Sequence, residues 1–109
     1  MVSEFTENVI KLIQNIPEGK VLSYGRIAKL AGNPKAARQV SWILHSSTKK
    51  YDLPWHRVIN SRGEVALKSE SDKEHQKMLL ENENVPFSTK YKIDLQEAMW
   101  DIKSIKKLK

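Results

Sequence analysis

Ser23-Tyr24-Gly25-Arg26-Ile27-Ala28-Lys29-Leu30-Ala31-Gly32-Asn33-Pro34-Lys35-Ala36-Ala37-Arg38-Gln39-Val40 is the stretch on which the fold turns. Ser23 reads as the cap of a helix from Tyr24 to about Ala31. Gly32 falls where helices end in the left-handed conformation. Asn33-Pro34 follows at once as cap and first helical position, so a second helix is expected to start there and to run to about His45. Helix, tight glycine turn, helix is the helix-turn-helix pattern. In the second helix Ala37, Val40, Ile43 and Leu44 fall on one side, suited to a core. Lys35, Arg38, Gln39 and Trp42 fall on the other. That basic, polar and aromatic face suits a nucleic-acid contact; an ordinary solvated face beside a core helix is the plainer alternative.

Upstream, Ser3 caps a helix with Glu4 and Glu7 in its first turn, where the dipole favours acids. Phe5, Val9, Leu12, Ile13 and Ile16 recur at helical spacing, and Pro17-Glu18-Gly19 ends the run. Downstream, residues 46–53 read as a polar loop. Pro54-Trp55-His56-Arg57-Val58-Ile59-Asn60 turns into a β-prone run, Asn60-Ser61-Arg62-Gly63 is a turn, and Glu64 to Leu67 is a return strand, which together predict a hairpin. Ser71-Asp72-Lys73-Glu74 is a capping box for a helix to about Glu83, with Met78, Leu79 and His75 as its core contacts. Residues 1–100 are expected to form one mainly α, winged helix-turn-helix-like domain with a short β hairpin, and residues 101–109 a basic, flexible tail.

The chain has 109 residues, one domain's worth. Lys and Arg number 19 against 13 Asp and Glu, a net charge of +6 that favours an anionic partner, nucleic acid first. Cysteine is absent, which removes disulfides, Cys-based zinc sites and a thiol nucleophile. Apolar runs fall far short of the ~20 residues that cross a bilayer, and the N-terminus lacks a signal-peptide h-region. An intracellular protein with no membrane partner is expected: cytoplasmic if bacterial, nuclear if eukaryotic. There is no phosphate-binding glycine loop. His45, His56 and His75 lack ligand spacing, so neither metal nor cofactor is expected. His45 beside Ser46-Ser47 is a poor nucleophile and base, because adjacent residues at a helix end rarely align. In Pro54-Trp55-His56-Arg57-Val58, a Trp, a His and an Arg held between a proline and a strand make an unusual surface. Alternatively, Trp55 fills core and Arg57 pairs with a helix acid.

These residues resemble the DNA-binding domain of the O6-alkylguanine-DNA alkyltransferases. That family carries Pro-Cys-His-Arg-Val, whose Cys accepts the alkyl group; here Trp55 stands in the position of the Cys, as in the alkyltransferase-like proteins. The resemblance runs over nearly the whole chain, through Gly19-Lys20-Val21, Ser23 to Ala28, Gly32 to Val40 and Val58 to Gly63, in order and spacing. It implies the absence of the active enzymes' extra N-terminal domain and a monomeric, cofactor-free domain that binds duplex DNA. The chain also departs from the family: Ser41 replaces a usual Gly, Ser46-Ser47-Thr48 replaces an Asn-Pro stretch, and Gln39 replaces a frequent Ala.

The resemblance also implies roles. Arg38 is the finger that fills the gap left by an extruded guanine, and Tyr24 crowds the neighbouring phosphate. Ala36 and Ala37 let the helix into the minor groove, with Lys35 and Gln39 beside them on DNA. The lesion pocket is expected from Tyr24, Leu44, Trp55, Val58 and Lys68. Glu83 and His56 match the relay that activates the missing Cys. The function implied is a non-enzymatic sensor of O6-alkylguanine that hands the lesion to nucleotide excision repair proteins. A helix-turn-helix transcription regulator reading undamaged DNA through Lys35, Arg38, Gln39 and Trp42 is the alternative, and an enzyme with another nucleophile a third.

Overall fold

In the computed structural model, which describes residues 3–65 and 67–100, Ser3 is extended and its side chain accepts from the Thr6 amide. This opens α1 (Glu4–Gln14), with Glu4 and Glu7 in the first turn. Val9, Leu12, Ile13 and Ile16 are buried along with Ile10, and Phe5 packs against them. After the turn at residues 17–19 the chain enters β1 (Leu22–Ser23). Ser23 caps α2 (Tyr24–Leu30) by accepting from the Arg26 amide. Gly32, at φ +114°, makes the turn that follows α2, a conformation that costs an L side chain strain but not glycine.

The next helix differs at both ends from the sequence reading. Asn33 does not cap it: its side chain accepts from the Lys35 amide and its carbonyl from the Ala36 amide, so residues 33–36 close a separate turn. α3 (Ala37–Tyr51) starts after that turn and continues through residues 46–51, expected as loop. Their polarity hides the helix because the Ser46 and Thr48 hydroxyls donate back to the Ile43 and Leu44 carbonyls. Tyr51 packs on the core, and Lys49 and Lys50 sit in the last turn, where the dipole favours cations. Asp52, left-handed at φ 51°, ends it.

A 3-10 turn at Trp55–Arg57 leads into β2 (Val58–Ile59). The predicted hairpin does not form. β2 pairs in parallel with β1, Leu22 opposite Val58 and Ser23 opposite Ile59. The turn at Asn60–Gly63 closes as expected, the Gly63 amide donating to the Asn60 carbonyl. The expected return strand is diverted instead, with Glu64 bridging to Lys92 and the Val65 amide donating to the Tyr91 carbonyl. The His56 and Val58 carbonyls are taken by the side chain of Gln76. Ala66 of that strand, like the predicted tail at 101–109, lies outside the described residues.

α4 (Glu70–Asn82) is capped by Ser69, which accepts from the Asp72 amide, and not by Ser71. Its buried residues are Gln76 and Leu80. Met78 and His75 are exposed and Leu79 only half-buried, contrary to expectation. The inward stripe is carried by a glutamine, because that side chain is needed as a donor to β2. A final turn, α5 (Leu95–Ala98), leads to Trp100, and the Val21 amide and carbonyl bond to Ala98 and Trp100.

Side-chain alternation along the two strands divides the interior. Leu22 and Val58 face a cluster with α1, α2 and α3 that also holds Leu53 and Trp100. Val21 and Ile59 face a second cluster with Leu80, Val85, Ile93 and Ala98. The parallel pair is thus the seam that fixes the 3-10 turn, and with it Trp55, against the helix-turn-helix. Among the described residues no helix is long and apolar enough to cross a membrane.

Candidate nucleic-acid interface

Tyr24 opens α2 half-buried, packed on the first cluster, and burial raises its hydroxyl above the ordinary phenol range, so it remains a neutral donor. At the start of α3, Ala36 is buried and Ala37 half-buried, while Lys35, Arg38, Gln39 and Trp42 are exposed. Arg38, Gln39 and Trp42 are therefore displayed from α3, and Lys35 from the turn before it. No acidic residue occurs between Glu18 and Asp52, whereas Lys20, Arg26, Lys29, Lys35, Arg38, Lys49 and Lys50 do. The positive charge is concentrated on the helix-turn-helix, which attracts a polyanion to this side of the molecule.

The Pro54-Trp55-His56-Arg57-Val58 segment is held from below by Glu83. His56 Nε2 donates to Glu83 at 2.6 Å, and Arg57 donates through Nε at 2.9 Å and Nη2 at 2.8 Å. The Gly19 amide adds a bond at 3.1 Å, while Arg57 Nη1 reaches the Ile16 carbonyl at 2.8 Å. Burial works against the Glu83 charge, but the bonds from Arg57, His56 and Gly19 outweigh it and hold the carboxyl down at about 2. A carboxylate only accepts, so His56 Nε2 carries the proton. The pairing of Arg57 with a helix-end acid is thus real, and it coexists with a site. The acid closes a network that joins the end of α1, the 3-10 turn and the end of α4.

Trp55 is the wall of that site. One side packs against the first core cluster, its ring stacks on His75 at 5.8 Å and 19°, and His56 meets it edge-on at 6.1 Å. Trp55 borders a cleft of about 580 Å³ lined by His45, Thr48, Lys49, Asp52, Leu53, Pro54 and His56, a size that admits a small planar ligand. Of the expected pocket residues, Trp55 alone lines this cleft. Leu44 and Val58 are buried in the cluster beneath it, and Tyr24 packs on that same cluster. Lys68 is not brought to the cleft. It is exposed just before the Ser69 cap and is not among the residues that line the cleft.

Sequence reasoning missed Thr48, Lys49 and Asp52 as cleft residues because residues 46–53 read as a loop, and weighed His45 only as a base for Ser46-Ser47. The signal was present: His45, Thr48 and Lys49 follow i, i+3, i+4 and share a helix face, and Asp52 ends that helix. His75 against Trp55, from a helix distant in sequence, left no such trace.

A helix-turn-helix with a segregated basic face, beside a cleft walled by Trp55, defines a DNA-binding domain. Residues 4–85 match the profile of the family described as 6-O-methylguanine DNA methyltransferase, DNA binding domain, and the chain belongs to that family. It is 42% identical over 97 residues to the DNA base-flipping protein of Escherichia coli (strain K12), covering 89% of this chain and 74% of that one. It is 40% identical over 104 residues to alkyltransferase-like protein 1 of Schizosaccharomyces pombe, covering 91% and 96%. The fold is similar to the crystal structure of S. pombe Atl1 in complex with damaged DNA containing O6-carboxymethylguanine, with a TM-score of 0.79 at 39% identity over 93% of this chain and 98% of that chain.

Proposed function

We propose that this protein is a non-enzymatic sensor of alkylation damage. It binds duplex DNA through the minor groove, turns O6-alkylguanine out of the stack into the cleft beside Trp55, and leaves the alkyl group in place. The observation that carries this reading is the Trp55 wall itself. The family's acceptor position holds an indole, the chain contains no cysteine, and the indole is braced against a cleft of about 580 Å³. The His56–Glu83 pair persists without a thiol because it has a second task. With Arg57 it fixes the turn that presents Trp55.

The physics of inspection fits these parts. The O6 atom lies inside the duplex, and extruding the base costs a few kcal/mol, least where pairing is already damaged. Exposed Arg38 offsets this by entering the vacated space with a planar, multi-donor group. Ala37, half-buried and with no bulk beyond Cβ, lets the start of α3 approach a groove about 6 Å wide, while the Ala36 side chain is buried in the core behind it. The flipped base gains an apolar, aromatic contact on Trp55. The family resemblance implies a handover to nucleotide excision repair, since a lesion that is bound and left in place needs other proteins to remove it.

Titration of two duplexes that differ only in one O6-methylguanine tests the reading. Tighter binding to the damaged duplex, with no alkyl mass gained by the protein, is expected. Equal affinities would sink the sensor and favour a regulator of undamaged DNA, and a stoichiometric mass gain would make it an enzyme.

A further inference from the structure

Trp42 is the most exposed large apolar side chain among the described residues, at 68%, and the sensor function proposed above leaves it without a role. Its position gives it one. Arg38, Trp42, His45 and Lys49 follow i, i+4, i+7 and i+11 along α3, and all four are exposed. At about 1.5 Å of rise per residue they form a stripe roughly 16 Å long. One end of the stripe is Arg38. The other end, His45 and Lys49, lines the cleft beside Trp55. A duplex that engages Arg38 and delivers a base to the cleft must pass over Trp42.

We propose that Trp42 is a sequence-independent DNA contact that packs its indole against the deoxyribose wall of the strand spanning Arg38 and the cleft. The inference rests on the DNA-binding part of the function proposed above. Duplex DNA is the occupant because the surroundings match it. The apolar ring is flanked by cations with no carboxylate between Glu18 and Asp52, and it is continuous with the helix-turn-helix face of a DNA-binding family. An indole offers a flat face for sugar carbons, and sugars, unlike base edges, present the same surface at every sequence. The contact raises affinity for any duplex and leaves lesion choice to the cleft.

The test is binding of Trp42→Gln and Trp42→Phe to an O6-methylguanine duplex and to its undamaged counterpart, at several salt concentrations. Trp42 is exposed on a helix, so both variants keep the wild-type melting temperature. Trp42→Gln is expected to weaken both duplexes by the same factor, about tenfold. Trp42→Phe is expected to restore most of the loss. The slope of log affinity against log salt stays at the wild-type value, because no cation has been removed. Unchanged or tighter binding of Trp42→Gln to both duplexes overturns the proposal and leaves a protein partner as the occupant. A loss confined to the damaged duplex also overturns it, by placing Trp42 in the pocket. Failure of the sensor reading is read separately: wild-type protein without lesion preference refutes the sensor, while a parallel loss in Trp42→Gln still upholds the contact.

Discussion

Replacing Glu83 by Gln removes the charge on which the His56 and Arg57 side chains converge. The substitution leaves one acceptor oxygen and turns an NH2 group toward donors that previously met oxygen. The Glu83 carboxyl sits at about 2 in the folded protein against an ordinary 4.5. By linkage that difference corresponds to at most about 3 kcal/mol at neutral pH. Solvent screening beside an open cleft reduces it to about 2 kcal/mol. For a chain of this size, that lowers the melting temperature by about 10 °C.

The sign with pH follows from the direction of the shift. A depressed carboxyl stabilises the fold above its unfolded value of 4.5, and the stabilisation is lost as pH falls through that value toward about 2. Thermal melts followed by circular dichroism from pH 7 down to acid should therefore show a gap between wild type and Glu83→Gln that is full at neutral pH. The gap should narrow below about pH 4.5 as the wild-type carboxyl protonates. A variant as stable as wild type at pH 7, or a gap that does not change with pH, would refute the view of Glu83 as the charged tie beneath Trp55.

Three further outcomes are expected. Arg38→Ala should weaken binding to an O6-methylguanine duplex at least about tenfold, with circular dichroism and melting temperature unchanged, since the side chain is exposed and its role is in the duplex. Gln76→Leu should cost about 2–4 kcal/mol in a urea titration, because it strips the donors from the His56 and Val58 carbonyls behind the 3-10 turn; a loss under about 0.5 kcal/mol would mean those carbonyls find water instead. Gly63→Ala should destabilise by about 1–3 kcal/mol in the same assay. Gly63 has φ +79°, and an added Cβ would fall 2.9 Å from the Leu95 side chain.

Reading of the fold succeeded where local chemistry and burial agree. Ser3 and Ser23 cap the helices they were expected to cap, and Val9, Leu12, Ile13 and Ile16 are buried at the spacing that announced them. It failed where a side chain acts on the backbone. Asn33 turns the chain instead of capping a helix, and Ser46 and Thr48 bond back along α3 instead of breaking it. At α4 two serines compete as caps, and local pattern does not separate them. Gln76, a polar residue, is 3% exposed because its partners come from a different part of the chain.

The candidate site divides along the same line. The sequence alone placed Arg38, Gln39 and Trp42 together, because residues on one helix keep a fixed geometry set by the backbone; Lys35 lies in the turn before α3. It also showed that the chain contains no cysteine, and its family resemblance implied that Trp55 stands at the acceptor position. Only the tertiary structure decided that β2 seeks β1 instead of its neighbour in the chain, since pairing across the molecule depends on which edges are already occupied. Only it showed that Glu83, Arg57 and His75 brace Trp55, and that the cleft beside Trp55 is lined from the end of α3 and not by the expected Lys68. Those contacts join residues far apart in sequence, and their geometry exists only once the two clusters have packed on either side of the parallel pair.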